Sequence, residues 1–182
     1  MKHIVIISAS VRKGAKSPRV AQYFKNFIES RQLATAEILD LNEYRFPVFE
    51  ERLKFQENPL PAAVSFAEKI EKADGVLIVT PEYNGGYPAS LKNVVDLLVE
   101  QWKRKPIGIS MVSAGPFAGT QVITSLLFSL WKIGALMIPA MFPVPTVEKT
   151  FDEQGTPADK EATDKRAQLF LSELLWYIDK MS

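Results

Sequence analysis

Short apolar segments alternate with longer amphipathic ones along the whole chain, and this alternation limits the possible folds most strongly. The apolar segments are rich in Ile and Val and lack a polar face, as expected of strands covered on both sides. The helical segments place apolar residues at intervals of three and four. The predicted strands are 3–7, 36–41, 75–79, 106–112 and 136–144, and the predicted helices follow Ser17 and span 62–72, 89–102, 117–134 and 157–178.

A strand–helix pattern repeated five times predicts an α/β fold with a parallel sheet between two layers of helices. Five strands suit the doubly wound order 2-1-3-4-5, and Pro139 and Pro143 restrict the fifth strand to an edge or a bend. Ligands of such sheets bind beyond the carboxyl ends of the strands, where the winding direction reverses between strands one and three. The loops at that point are 8–17 and 80–88. The 182 residues fit one domain, spanning 1–182.

The first of these loops has the residues of a phosphate-binding site. Ser17 is a candidate N-cap for the following helix, and Pro18 suits the first helical position. The helix start offers free amides, Ser10 and Ser17 add hydroxyls, and Arg12 adds a forked cation. The alternative is a polar loop whose serines only cap the helix. Neither the Walker motif nor G-x-G-x-x-G occurs in the chain.

The second loop, 81–88, combines two prolines with two glycines. Pro81 and Pro88 stiffen its ends, and Gly85 and Gly86 permit a flat ligand to lie against the backbone. Amides from residues 82–85 would face a polar ring edge, with Tyr83 or Tyr87 flanking the ring. The alternative is a rigid turn without a ligand.

Composition excludes several classes of site. The chain has no cysteine and one histidine, His3, so thiol nucleophiles, disulfides and zinc sites are excluded and no metal site is expected. The formal net charge is +1 without a basic stripe, which argues against a nucleic-acid partner. We found no secretory signal pattern and no apolar run long enough for a membrane span. These features predict a cytoplasmic protein.

The stretch TPEYNGGYPASLKNVVDLL resembles the T-P-E-Y-N-x-x-x-P-x-x-L-K-N-x-x-D motif of the NADPH-dependent FMN reductase family. SASVRKGAKSPRVA is similar to the family's G-S-x-R-x-x-S phosphate loop, with Ala9 in place of glycine and two extra residues before Ser17. The segment RFPVFEE resembles the family's proline-acidic loop. The segment SAGPFAGT resembles its aromatic-glycine loop, but Ser113 replaces the aromatic residue and Ala118 replaces one glycine. The resemblance covers about residues 3–140.

The resemblance implies a flavodoxin-like fold and an FMN cofactor, with NADPH or NADH as electron donor. It implies that the FMN phosphate is bound by Ser10, Arg12, Ser17 and Arg19. The isoalloxazine ring would lie along Pro81, Glu82, Tyr83, Asn84 and Gly85, near Ser113, Ala114 and Gly115. No side chain is predicted to act as a catalytic acid or base.

The predicted function is transfer of hydride from NAD(P)H through the flavin to a small acceptor. The family's acceptors include quinones, azo compounds, chromate (a metal oxyanion) and free flavin. Two alternatives stay open, namely a flavodoxin-like electron carrier and an FMN-binding module without turnover. A carrier would be expected to have an acidic surface, whereas this chain is close to neutral.

The predicted helix 117–134 is apolar on nearly every side, and a helix without a polar face is covered on both sides. Residues 122, 123, 126, 130 and 133 can face the sheet, which leaves Leu127, Phe128 and Trp131 elsewhere. A second subunit would cover them, so we expect a homodimer or homotetramer. The alternative cover is the long loop 42–61. The family resemblance also implies oligomers.

Overall fold

The computed structural model describes residues 1–181, and their five strands form one parallel sheet. The order is β2-β1-β3-β4-β5, and every neighbouring pair is parallel. Both observations confirm the predicted topology. The strands are β1 (His3–Ser8), β2 (Thr35–Asp40), β3 (Gly75–Pro81), β4 (Pro106–Val112) and β5 (Leu136–Val144).

Within residues 1–181, five longer α-helices and two short ones lie between the strands or after the last of them. They are α1 (Ser17–Ser30), α2 (Leu41–Tyr44), α3 (Pro61–Lys72), α4 (Ala89–Leu97), α5 (Val122–Lys132), α6 (Val147–Thr150) and α7 (Lys160–Met181). Sequence periodicity did not reveal α2 and α6, which are single turns. The helix predicted over 89–102 stops at Leu97, because Leu98 is extended and a separate turn brings Trp102 into the core. Within residues 1–181, no helix has the length and apolar composition of a membrane span.

The strands bury both faces, as their continuous apolar sequences predict. On β1, Val5 and Ile7 belong to the apolar cluster that includes residues of α3, α4 and α5, whereas Ile4 and Ile6 belong to the cluster that includes residues of α1 and α7. Each face therefore has its own apolar core, and the polar loops collect at the ends of the strands. This arrangement gives the site loops a rigid base.

A polar cluster joins α1 to α7 at the surface of the apolar core that contains Ile4 and Ile6. The Asp164 carboxylate accepts hydrogen bonds from Tyr23 Oη at 2.9 Å and Arg31 Nη2 at 3.1 Å, and it pairs with Lys160. Burial alone would raise the pKa of Asp164, but the hydrogen bonds from Lys160, Tyr23 and Arg31 outweigh it and hold the pKa below its usual value. Burial and the Asp164 hydrogen bond raise the pKa of Tyr23.

Asp164→Asn should lower the free energy of unfolding at pH 7 by about 2 kcal/mol, because hydrogen bonds to a partly buried charge are lost. A carboxylate with a depressed folded pKa contributes its full stability above its unfolded pKa of about 4, so the difference from wild type should shrink below that pH and be lost as the pH falls through the lower folded pKa. Urea unfolding at several pH values between 3 and 7 measures the difference in the free energy of unfolding between the variant and wild type. The control is Asp179→Asn on the same helix, whose carboxylate pairs with Lys2 but is 58% exposed; an equally large effect there would contradict the assignment.

Strand β5 lies at an edge of the sheet, as its prolines predict. The pairing between β4 and β5 shifts register between Ile107 and Ile109, opposite the segment that contains Pro139. Arg166 of α7 donates to the carbonyl of Pro143 at 2.6 Å. The edge is therefore irregular, and a side chain already occupies one of its backbone acceptors.

Candidate functional site

The first loop, residues 9–16, leads from β1 into α1, and two buried serines lie in the loop and at the start of α1. Ser10 and Ser17 are each 2% exposed. The prediction that Ser17 caps the helix is wrong, because Lys16 occupies the N-cap position and Ser17 is the first helical residue. The hydroxyl of Ser17 is buried and has no hydrogen-bond partner within residues 1–181. A buried hydroxyl without a partner is costly, so a ligand acceptor would stabilise it.

Arg12 lies at the surface of the same loop, with its carbonyl accepting from the Ala15 amide at 3.0 Å. Its own amide donates to the Ser10 hydroxyl oxygen at 3.3 Å. No carboxylate in the described part of the chain forms an ion pair with its guanidinium. This leaves its forked donors available to an anionic ligand.

The second loop folds into a tight turn directly after β3. Tyr83 and Gly86 exchange two backbone hydrogen bonds of 2.8 and 3.1 Å. The two central residues, Asn84 and Gly85, have φ of 53° and 81°, the signs of a type I′ turn, which Asn-Gly favours. The Tyr83 amide is therefore committed to Gly86, and the prediction that it faces a ring edge is wrong.

Side-chain hydrogen bonds join this turn to the first loop. The hydroxyls of Tyr83 and Ser10 share a hydrogen bond of 2.6 Å. Ser90, at the start of α4, donates to the carbonyl of Ala9 at 2.7 Å. Tyr87 instead lies against α5, where its hydroxyl is 3.0 Å from that of Ser129. Of the two candidate tyrosines, only Tyr83 thus connects the loops at the point where the sheet's winding reverses.

The third loop, residues 113–121, is held between the tight turn of the second loop and the C-terminal end of β5. Ser113 donates its amide to Val144 O and its hydroxyl to Gly115 O, at 3.0 and 2.8 Å. Gly119 has φ of +69°, and a Cβ there would lie 3.3 Å from Cβ of Glu82. Only glycine permits this backbone conformation without strain and this approach without displacement of the neighbour.

The three loops enclose a cleft of about 280 Å³. Of the predicted site residues, Ser10, Arg12, Ser17, Pro81, Glu82, Tyr83, Ser113 and Ala114 line it. Asn84 and Gly85 form the exposed tip of the turn and Gly115 is also exposed, and these three residues are not part of the lining. Six lining residues had not been predicted as site residues, namely Gly14, Ala15, Lys16, Val112, Val147 and Glu148.

Arg19 lies outside the cleft, which corrects its predicted place beside the phosphate. Its Nη1 donates to the carbonyl of Phe151 at 2.8 Å, and its Nη2 lies 3.6 Å from Glu153. The helix turns Arg19 away from Ser17, toward the segment that follows α6. We therefore expect Arg19 to hold this segment in place.

A larger hollow of about 730 Å³ lies beside the cleft, with Val11 and Ser90 in its wall. One side is the segment 45–51, which Asn93 of α4 holds in place. The Asn93 side chain accepts from the amide of Phe49 at 2.6 Å and donates to Pro47 O at 2.7 Å. Asn93 therefore has a structural role, fastening this segment to α4. The hollow contains no buried polar atom without a partner among those identified within residues 1–181.

The cleft has the donor set that a phosphate monoester requires. It combines the unpartnered Ser17 hydroxyl, the unpaired Arg12 guanidinium and the amino end of α1, a helix without an acidic residue in its first turn. The wall formed by Pro81, Glu82 and Tyr83 faces that of Ser113 and Ala114 across the cleft. The residues present thus fit FMN.

Comparison with known proteins agrees with this geometry. The family model "NADPH-dependent FMN reductase" matches residues 2–149. The NAD(P)H-dependent FMN reductase LOT6 of Saccharomyces cerevisiae is 31% identical over 133 residues, which cover 64% of this chain and 66% of LOT6. A quinone reductase of Escherichia coli K12 is 34% identical over 125 residues, 65% of this chain and 63% of that protein. The matched segments thus span slightly less than two thirds of these relatives.

A solved structure, the flavoenzyme NAD(P)H:(acceptor) oxidoreductase FerB of Paracoccus denitrificans, has the same fold. It superposes with a TM-score of 0.79 at 22% identity, covering 100% of this chain and 99% of FerB. The family match extends from β1 to α6 and includes all three loops of the cleft. The chain belongs to the NADPH-dependent FMN reductase family.

Proposed function

We propose that this protein is an FMN-dependent NAD(P)H oxidoreductase that reduces a small acceptor. The observation that carries the proposal is the buried, unpartnered Ser17 hydroxyl beside the unpaired Arg12 guanidinium, in a cleft where the sheet's winding reverses. The similarity to FMN reductases and a quinone reductase supports the same activity. We propose quinones, azo compounds, metal oxyanions or free flavin as acceptors; an azoreductase of Bacillus sp. is also similar, at 28% identity.

The protein's own residues bind and orient the cofactor. Arg12, Ser10, Ser17 and the first amides of α1 would hold the phosphate, and Tyr83 keeps Ser10 in position through its hydroxyl. Bound FMN would supply the redox chemistry, accepting a hydride from NAD(P)H and passing electrons to the acceptor. The chain has no cysteine that could do this. No side chain is assigned as a catalytic acid or base.

Stopped-flow mixing of the FMN-loaded protein with NADPH, and separately with NADH, tests this function. Bleaching of the flavin absorbance on a catalytic timescale, followed by recovery on addition of a quinone, is the expected result. An electron carrier would stay oxidised without a partner reductase. A binding module without turnover would bind FMN but would neither bleach nor oxidise NADPH in the steady state.

We further propose that the protein forms a homodimer or homotetramer through the outer face of α5. Val122, Leu126 and Leu130 are buried against the sheet, while Phe128 and Trp131 are 63% and 65% exposed. These two rings flank an apolar hollow of about 780 Å³ formed by α5, the start of β5 and Tyr177. No residue of the segment 42–61 lines this hollow, so the alternative cover is not seen within residues 1–181.

Trp131→Glu should convert the oligomer to a monomer, because a buried carboxylate without a partner would oppose the contact. Sedimentation velocity at micromolar concentration measures the change. Trp176→Glu on α7 is the matched control, since that ring is 54% exposed and lies outside the hollow. A wild-type monomer, or dissociation by the control alone, would contradict the proposed surface.

We also propose a cytoplasmic location, which fits a chain without cysteine and is tested by cell fractionation.

A further inference from the structure

The phosphate end of the cleft contains a carboxylate that no motif in the sequence predicted. Glu148 lines the cleft, and its Oε1 lies 3.5 Å from Nζ of Lys16, the N-cap residue of α1. An acidic side chain at this place is unexpected, because the donor set around it favours an external anion. Its contact with Lys16 puts it at the same end of the cleft as Ser17.

The backbone fixes the place of Glu148. The preceding residue, Val147, is 2% exposed and donates its amide to Ser113 O at 3.0 Å. Thr146 donates to Gly115 O at 3.0 Å, with φ of +43° that a β-branched residue rarely adopts. These contacts tie the start of α6 to the third loop, so the Glu148 backbone cannot move away without disrupting the cleft wall.

The ion pair itself is easily exchanged. The side chains of Lys16 and Glu148 are 36% and 63% exposed, and exposed pairs contribute little to stability. A phosphate dianion at the start of α1 would attract Lys16 more strongly than a single carboxylate does. The same dianion would be repelled by Glu148, which stays at the cleft wall.

We propose that Glu148 is a built-in competitor of the FMN phosphate, and that Lys16 exchanges Glu148 for the phosphate when FMN binds. This inference rests on the proposed function, since it requires FMN in this cleft. Its consequence is that Glu148 weakens FMN binding and favours exchange of the cofactor with free FMN. Lys16 becomes a further phosphate-binding residue beside Arg12.

Titration of the protein with FMN and with riboflavin, followed by flavin fluorescence, tests this inference. Glu148→Gln should tighten FMN binding about tenfold, because repulsion of a dianion is removed. Binding of riboflavin, which has no phosphate, should not change. Lys16→Met should weaken FMN binding, and more salt should reduce the difference between Glu148→Gln and wild type.

Glu153→Gln is the matched control, because it removes the same charge from a neighbouring segment but from a residue that pairs with Arg19 outside the cleft. It should leave FMN affinity unchanged. Unchanged FMN affinity in Glu148→Gln, or equal tightening of riboflavin and FMN, would overturn this inference and leave the proposed function intact. A wild-type protein that binds neither flavin would overturn both.

Discussion

Arg12→Ala should raise the dissociation constant for FMN about 100-fold, because a charged, forked hydrogen-bond donor to a phosphate contributes about 3 kcal/mol. Arg12 is exposed and has no carboxylate partner within residues 1–181, so its removal should not weaken the fold. Arg12→Lys should give an intermediate affinity, since it keeps the charge and loses the fork. Fluorescence titration with FMN measures the change.

Two controls make the Arg12 result specific to phosphate binding. Riboflavin affinity should be the same in wild type and Arg12→Ala. Arg19→Lys should leave FMN affinity unchanged, because Arg19 contacts Phe151 O and Glu153 rather than the cleft. If the Arg19 variant lost as much FMN affinity as Arg12→Ala, the phosphate would have to lie farther along α1 than the structure indicates.

Gly155→Ala should lower the free energy of unfolding by about 3 kcal/mol, which combines backbone strain with overpacking. Gly155 has φ of +80°, and a Cβ there would lie 2.6 Å from Arg19 O and 2.8 Å from the Tyr23 amide nitrogen. Both neighbours belong to the backbone of α1 and cannot rotate away. A melting temperature lower by about 10 °C is expected for a chain of this length.

Gly85→Ala is a closely matched control for this prediction. Gly85 has φ of +81°, but a Cβ there would have no heavy atom within 4 Å. Gly85→Ala should therefore lower the free energy of unfolding only by the strain of the left-handed conformation, about 1 kcal/mol. Comparison of the free energies of unfolding of the two variants, both without cofactor, separates the cost of backbone strain from the cost of steric overlap. Equal destabilisation would show that the segment around Gly155 does not pack on α1 as described.

The alternation of apolar and amphipathic segments was sufficient to predict the strands of the sheet and the helices between them, because each of these two patterns depends on local sequence. The limits of β4 and β5 follow from continuous apolar runs that begin at Pro106 and Leu136. The parallel orientation of the strands follows from the lengths of the connections between them, which each contain a helix. The first and second loops were located as ligand-binding candidates because parallel strands carry their carboxyl ends at one edge.

The direction of individual side chains was not predictable in the same way. Arg19 follows the phosphate loop in sequence, yet one helical turn directs it toward Phe151, which lies 132 residues later. The Tyr83 amide is taken by Gly86 because Asn84 and Gly85 favour a tight turn. Glu148 reaches the cleft from beyond β5 and depends on tertiary contacts alone. An Asn-Gly pair was the one local signal from which the turn could have been derived.

The irregular rim at β5 restricts how two copies of this protein can meet. Extension of one sheet into the next requires a row of regularly spaced amides and carbonyls. Proline supplies no amide at positions 139 and 143, the shift opposite Ile109 breaks the spacing, and Arg166 occupies a carbonyl. A continuous ten-stranded sheet through this rim is therefore unfavourable, so self-association there has to rely on side-chain surfaces such as the rings of α5.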